Sequence, residues 1–448
     1  MGAFKAYDIR GIYNKDFDKE TVYKVGYFLP TLLSTDHVVV GRDVRLTSPE
    51  IHEYLLKGIT DSGADVWDLG LATTPMVYFS TVFLNADASV QITASHNPKE
   101  YNGLKISRKD AIPVGGDSGL KELEKLVREE KVSLSGKKGI VKDYSYVKDE
   151  YVKYLRNFRP QLEGLNISID CSNGMANLII KDVLENDSVH YIYDTFDGSF
   201  PNHEPNPLEE KNCSAIKAET LKNGSDVGII YDGDADRVMF IDEKGRFIQP
   251  DYITAVLGYY YMKKGLKGNS LVDIRTSRST TEYLESIGFP PTIWKVGHAF
   301  AKLKIREIDG IFGGELAGHY YFRKDFFNCD SGVLASLLVL SVVKSLKENG
   351  ETLSSFIDSI VKYSNTGEVN FKLDEKDECI AAILSHYEKE GPMKVLDFDG
   401  YRIEFPSWWL SVRKSNTEPY LRIVLEARSE AEKDARMKEI EGIIAKFK

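Results

Sequence analysis

Apolar and polar positions along the chain switch between two periods. The runs HVVVGRD, ADVWDLG and ASVQITAS are apolar segments of strand length bounded by Gly, Asp and Ser, whereas PEIHEYLLKGITDSG spaces its apolar residues three and four apart. Strands alternating with amphipathic helices predict βαβ units, in which helices cover a mixed, largely parallel sheet. The same rhythm returns in LNISIDCSNG, DVGIIYDGD and the hairpin VMFIDEKGRFI, which turns at Lys244 and Gly245. It returns again in NSLVDIRTSRST and DGIFGGELAGHYYF, followed by an apolar helix around residues 333–343.

From about Lys362 the pattern changes. Strand EVNFKL, helix DEKDECIAAILSHYEKEG, a hairpin at Asp399 and Gly400, a second hairpin around RKSNTEP and a closing helix predict a compact α+β unit. Ser429 and Glu432 give that helix a capping-box pattern. KVSLSGKKGIVKD, rich in Lys, Ser and Gly, reads as a linker near residues 131–143. The expected fold is therefore α/β: three related mixed-sheet domains plus a C-terminal α+β domain around a central cleft, with domains at 1–143, 144–248, 249–361 and 362–448.

A faint internal echo supports the kinship of the first three. Asp87 leads through SVQIT to Ser95, Asp226 through VGIIY to Asp234, and Asp309 through GIFG to Glu315. Each short strand ends in a loop of chemically able residues, where open α/β sheets place their ligands.

Length alone suggests about three domains for 448 residues. The separate pattern after Lys362 raises that to four. With 42% hydrophobic and 28% charged residues the chain is an ordinary globular protein. Its 58 Lys and Arg against 68 Asp and Glu leave a net charge of −10, which argues against nucleic acid as a partner. An anionic ligand would need a local basic pocket. Cys171, Cys213, Cys329 and Cys379 form no C-x-x-C pair, so neither a disulfide framework nor a zinc site is expected. Charges at Lys5, Asp8 and Arg10 disfavour a secretory leader, and no apolar run reaches the ~20 residues that span a bilayer. A cytoplasmic protein without a membrane partner, monomeric or weakly oligomeric, is expected.

The sharpest chemical feature is DGDADR. Asp232, Asp234 and Asp236 alternate after a buried strand, so their carboxylates can converge on one point, and converging carboxylates call for a hard cation such as Mg²⁺, Mn²⁺ or Ca²⁺. An EF-hand does not fit: Glu243 stands at the twelfth position, but the sixth, which needs Gly, is Arg237. Arg237 beside the acids points to a shared phosphate. In TASHNP, Ser95 follows the strand SVQIT and precedes Asn97-Pro98, which holds its hydroxyl on a tight loop. A hydrolase elbow would need Gly at Thr93 and Asn97. Lys105 lies ten residues on as a further cation.

TASHNP, DGDADR, GGELAGH and RKSNTEP in that order, after an N-terminal AYDIRG, closely resemble the α-D-phosphohexomutases, the phosphomannomutase/phosphoglucomutase family, across essentially the whole chain. The resemblance implies that Ser95 is carried as phosphoserine, that Mg²⁺ is held by Asp232, Asp234, Asp236 and the phosphate on Ser95, and that Arg10, His96, Lys105 and Arg237 stabilise the transferring charge. It implies a sugar phosphate as the small-molecule partner and a hexose 1,6-bisphosphate as intermediate and activator. Substrate-facing groups would be Tyr7, Arg275, His298, Glu315, Ala317, His319 and, around the non-reacting phosphate, Arg413, Ser415, Asn416 and Thr417. Two positions depart from the pattern: many relatives have Ser where this chain has Ala317, and often Lys where it has Arg275. The resemblance implies interconversion of hexose 6-phosphate and 1-phosphate, with mannose or glucose as the sugar. Phosphoglucosamine or phosphopentose mutase, a sugar-phosphate binding protein and a phosphatase stand as alternatives.

Overall fold

The computed structural model describes residues 2–134, 136–186, 188–414 and 420–447. Its strands form four sheets. In the first, Ala88–Ile92 lies between the parallel strand His37–Arg42 and the antiparallel strand Tyr101–Arg108. The same arrangement recurs with Val227–Tyr231 between Ile167–Asp170 and Val238–Asp242, and with Phe312–Gly314 between Ser270–Asp273 and Tyr320–Phe322. The internal echo thus marks three strands in equivalent places. A parallel neighbour on one side and a hairpin partner on the other send the loop after each strand out at the same sheet edge.

The fourth sheet is antiparallel throughout, in the order Ser364–Lys372, Tyr420–Ala427, Trp408–Lys414, Tyr401–Glu404, Lys394–Leu396. Helices Lys376–Glu388 and Glu430–Ile444 supply Tyr387, Ile383 and Ile440 to a core of its own, with Trp408, Leu410 and Ile423 from the strands. Only half of the expected capping box forms. Ser429 Oγ accepts the Glu432 N–H at 3.2 Å, but the Glu432 carboxylate turns away to accept from Ser407 Oγ at 2.6 Å.

One further expectation is corrected. Val141–Asp143, read as part of a linker, pairs in parallel with Asp65–Leu71 and closes the edge of the first sheet. The apolar helix Gly332–Glu348, which follows the third sheet in the chain, reaches across to the second: Tyr231 donates to Ser336 Oγ at 2.7 Å, and Lys347 pairs with Asp226. One apolar cluster accordingly runs through Met76 and Phe79, Ile169 and Phe240, and Val256, Phe312 and Leu337. The first three domains share this core, so burial in each depends on the others.

The third and fourth domains meet at a polar seam. Fully buried Arg402 donates to the carbonyls of Ile274 (3.0 Å) and Thr276 (2.7 Å), while Glu426 accepts from the Arg278 N–H at 2.8 Å and from Trp409 Nε1 at 2.6 Å. Nearby Asp251, at the start of helix Pro250–Lys263, accepts the Ser277 N–H at 2.8 Å. Burial, aided by the charges of Glu426 and Asp273, pushes its carboxyl up to about 7. A folded-state value above the unfolded one means that the protonated carboxyl's contribution is fully present below about pH 4 and lost as pH rises through about 7. An Asn carries no such titration. Relative to the parent, Asp251→Asn should therefore gain about 3 kcal/mol of stability between pH 5 and pH 8, because the parent's loss of about 1.4 kcal/mol per unit runs at full slope only up to about pH 7. Any hydrogen bond lost with the substitution is a constant offset that does not affect this slope. Denaturant titrations of both proteins across that range test it, and parallel curves would refute it.

Candidate active site

The three equivalent loops meet where the first three sheets face one another. Gly233 allows the closest approach: a Cβ there would sit 2.5 Å from the Ser95 carbonyl oxygen. Gly332 does the same for the apolar helix, since its Cβ would lie 2.9 Å from the carbonyls of Ala235 and Arg237. With no side chain between them, the loop bearing Ser95 and the loop bearing the aspartates touch through backbone.

Ser95 is buried in the left-handed region, at φ +52°. Its N–H is held by Thr93 Oγ1 at 2.9 Å and its hydroxyl donates to Asp232 Oδ2 at 2.7 Å, with His96 Nδ1 3.3 Å away. A non-glycine residue in that conformation stores strain, which persists where neighbouring bonds over-determine it. Here the strained residue is the one whose hydroxyl is aimed at the acids.

Asp232, Asp234 and Asp236 are wholly buried and present oxygens within 4.8 Å of one another. Burial, reinforced by the other two carboxylates, pushes Asp232 well above the usual carboxylate range. Despite burial, Asp236 is held below that range by Lys105 and then His319. Lys105 Nζ bridges Asp234 Oδ2 at 2.8 Å and Asp236 Oδ2 at 2.5 Å, and Arg237 Nε stands 3.9 Å from Asp232. Among the described residues, buried Asp234 Oδ1 and Asp236 Oδ1 have no hydrogen-bond partner. An all-oxygen donor set with two unpartnered oxygens fits a hard divalent cation. Glu243, the residue that mimics an EF-hand's twelfth ligand, faces elsewhere and accepts from Ser354 N–H at 3.1 Å.

The remaining cations ring this centre. Arg10 donates to Asn97 Oδ1 at 2.8 Å and pairs with Asp8. Burial, and then the charges of Arg237 and Arg10, depress His96 far below its ordinary value, so it is a neutral imidazole at pH 7.

The loop after Phe312–Gly314 is tied to the aspartate loop. Arg237 and His319 form a β-bridge, and Val238 donates its N–H to the Gly318 carbonyl at 3.2 Å. Glu315 Oε1 accepts the Gly297 N–H at 2.6 Å and Oε2 accepts from Tyr321. Ala317 is half-buried beside it. His319 Nδ1 lies 2.6 Å from Asp330 and its ring stacks on His298, 5.7 Å between centroids; Tyr7 packs edge-on against Phe300 at 5.3 Å.

On the fourth sheet Arg413 pairs with Asp399 at 3.3 Å, and Asp399 also accepts the Val296 N–H at 2.9 Å, which brings this domain against the His298 segment. Arg275 forks onto Asp273 at 2.7 Å and reaches Glu368 at 3.3 Å. Ser415, Asn416 and Thr417 lie outside the described residues.

Several polar residues at this centre escaped the sequence reading. Thr74, at the start of helix Thr74–Phe83, donates to Asp234 Oδ2. Lys302, buried over the Tyr78 ring, holds Asp330 at 2.7 Å, and Asp330 in turn orients His319. Arg422 stands directly across the strand pair from Arg413, a like-charge juxtaposition that costs stability unless acids or an anion lie between. Glu368, 3.2 Å from Arg422, and Asp399 supply that compensation. A charged pair in register on adjacent strands was the available signal, but register is set by the hairpin turn and not by either strand.

Four family models match in chain order: phosphoglucomutase/phosphomannomutase α/β/α domain I over residues 1–133, domain II over 149–245, domain III over 249–363, and the C-terminal domain over 368–443. The chain is 35% identical over 451 residues to a Xanthomonas campestris pv. campestris protein named phosphohexose mutases, covering 99% of each. It is 35% identical over 443 residues to a phosphomannomutase of Escherichia coli, covering 96% of each. Among solved structures, a phosphoglucomutase/phosphomannomutase family protein from Burkholderia thailandensis superposes with a TM-score of 0.89 at 26% identity, covering 99% of this chain and 96% of that one.

Proposed function

The chain belongs to the phosphoglucomutase/phosphomannomutase family, mutases that are intramolecular phosphotransferases, and we propose that it interconverts a hexose 6-phosphate and its 1-phosphate, with mannose as the preferred sugar and glucose as the second, through phosphoserine at Ser95. The observation that carries this reading is the Ser95 hydroxyl, buried and strained, 2.7 Å from Asp232 in a nest of cations.

Phosphoryl transfer asks mainly for positioning and for neutralisation of charge spread over the phosphoryl oxygens. In the proposed cycle the bond between phosphorus and Ser95 Oγ breaks as one forms to the free hydroxyl of the sugar phosphate, and the proton that this hydroxyl gives up is balanced by the one that Ser95 Oγ takes back. The resulting bisphosphorylated sugar turns over in the cleft and returns its other phosphoryl group to Ser95. Lys105, Arg237 and Arg10 are the cations placed for the transferring group. Neutral His96 contributes hydrogen bonding without net charge. Asp232, Asp234 and Asp236 would hold Mg²⁺, which supplies further charge neutralisation at the phosphoryl oxygens. In this reading Glu315 and His319 would take the sugar hydroxyls, and Arg413 with Ser415, Asn416 and Thr417 would take the phosphate that is not reacting. Arg275 and Tyr7 would be further substrate-facing groups. One anchor for the idle phosphate serves both orientations of the intermediate, so a single chemical centre can act at either end of the sugar.

The 35% identity to proteins named phosphomannomutase favours mannose. With catalytic hexose 1,6-bisphosphate present, kcat/KM should be highest for mannose 1-phosphate, lower for glucose 1-phosphate and lowest for glucosamine 1-phosphate. A maximum at glucosamine would reassign the substrate, and Ala317→Ser is the first variant in which to look for a shift.

A further inference from the structure

Four backbone carbonyls at and just after Ser95 are taken by one residue of another element. Arg45, in the turn between strand His37–Arg42 and helix Ser48–Asp61, has no exposed surface. Its Nη2 donates to the carbonyls of Ser95 at 2.8 Å and Asn97 at 2.6 Å, and its Nη1 to those of Pro98 at 2.7 Å and Tyr101 at 2.9 Å. Nε faces Asp43 at 3.2 Å, and Asp43 is itself fixed by Ser48 Oγ at 2.6 Å. The loop is buried at Ser95 and half-buried at His96, Asn97, Pro98 and Tyr101, so carbonyls turned inward toward buried Arg45 need partners, and a planar fork with donors on two nitrogens answers four of them at once. An ammonium, with three donors on one point, cannot span the same set.

The second domain grips the same arginine. Arg45 forms a parallel bridge with Gly198, and its guanidinium lies 5.1 Å from the centre of the Phe200 ring. That loop also bonds to the turn behind the aspartates: the Asp197 N–H reaches the Asn173 carbonyl at 3.1 Å, and the Met175 N–H the Gly233 carbonyl at 2.9 Å. One face of the second domain therefore supports the acid loop directly and the Ser95 loop through Arg45.

We propose that Arg45 is a positioning residue for phosphoryl transfer: it locks the Ser95 loop in the left-handed conformation that aims Oγ at the acids, and Phe200 of the second domain keeps its guanidinium in place. The proposal rests on the reading of Ser95 as the phosphoryl carrier.

The test compares Arg45→Lys, Phe200→Leu and Ser95→Ala with the parent in four measurements: steady-state turnover, sugar-phosphate affinity by calorimetry, Ser95 phosphorylation by intact mass after incubation with hexose 1,6-bisphosphate, and Tm. Misplacing a reacting group by about 1 Å can cost about 100-fold in rate, so Arg45→Lys should lose about that much in kcat and in the rate of Ser95 phosphorylation. Its KM and sugar-phosphate affinity should stay within about 3-fold, because those groups lie on the third and fourth domains. Phe200→Leu should lose about 10-fold in kcat with Tm little changed. A folded Arg45→Lys protein with kcat within about 3-fold of the parent overturns the proposal, as does a loss that merely follows a fall in Tm and in affinity together. If Arg45→Lys does not fold, Phe200→Leu decides: normal turnover overturns the proposal and the slowed phosphorylation supports it. Ser95→Ala separates the two claims. Turnover that survives in Ser95→Ala removes the carrier reading itself, whereas an inactive Ser95→Ala beside unimpaired Arg45 and Phe200 variants removes only the role of Arg45.

Discussion

Replacing Ser95 with alanine should lower kcat by about 10⁴-fold or more, since no positioned nucleophile would remain to carry the phosphoryl group between the two ends of the sugar. The fold should survive. The hydroxyl makes one strong bond, to Asp232, and the loop is otherwise held through the Thr93 hydroxyl and through carbonyls taken by Arg45. Sugar-phosphate affinity should persist too, because Glu315, His319 and Arg413 come from other sheets. A coupled assay with hexose 1-phosphate, run beside calorimetric binding, distinguishes loss of chemistry from loss of substrate. Near-normal turnover by a folded Ser95→Ala protein would sink the phosphoserine mechanism.

Chelation should be the second large effect. Three buried carboxylates converge beside Lys105 and Arg237, and among the described residues Asp234 Oδ1 and Asp236 Oδ1 have no hydrogen-bond partner, so the centre offers oxygens that a hard cation would take. EDTA is expected to stop turnover and Mg²⁺ to restore it. The ion should also raise Tm, because a ligand that binds only the folded state adds about 2.7 kcal/mol of stability at a concentration 100 times its Kd. Asp234→Asn should weaken that rise and reduce activity together, which ties the thermal effect to this centre. Activity indifferent to chelation, with no thermal shift, would mean that Lys105, Arg237 and Arg10 neutralise the acids without an ion.

The chemistry-bearing loops were legible because their signals are local. TASHNP and DGDADR each follow a short apolar strand and contain their own turn residues, so neither needs a distant partner to be recognised. The echo among Asp87, Asp226 and Asp309 was legible for the same reason, and the sheets place the strands that follow them identically. Val141–Asp143 was misread because an edge strand of three exposed residues has no apolar alternation to announce it. Its only reason to be a strand is the open edge of Asp65–Leu71.

Arg45, Thr74, Lys302 and Asp330 were hidden differently. Each is a charged or polar side chain of ordinary local setting whose partner lies far off: Arg45 is 50 residues from Ser95, and Thr74 is 160 from Asp234. Arg45 had one faint mark, its place with Asp43 just past the carboxyl end of a parallel strand, where functional loops gather.

By itself the amino-acid sequence determined most of the strands and helices, where Ser95 and the aspartates sit on their loops, and that four units follow one another, since periodicity, turn chemistry and capping act within a few residues. Tertiary structure alone decided that Gly332–Glu348 covers the second sheet, that Lys105 bridges two aspartates from another domain, and that one buried arginine secures the Ser95 loop. Those outcomes follow from burial: once the sheets meet, enclosed carbonyls and carboxylates need partners, and which ones they find depends on what the chain brings back from a distance.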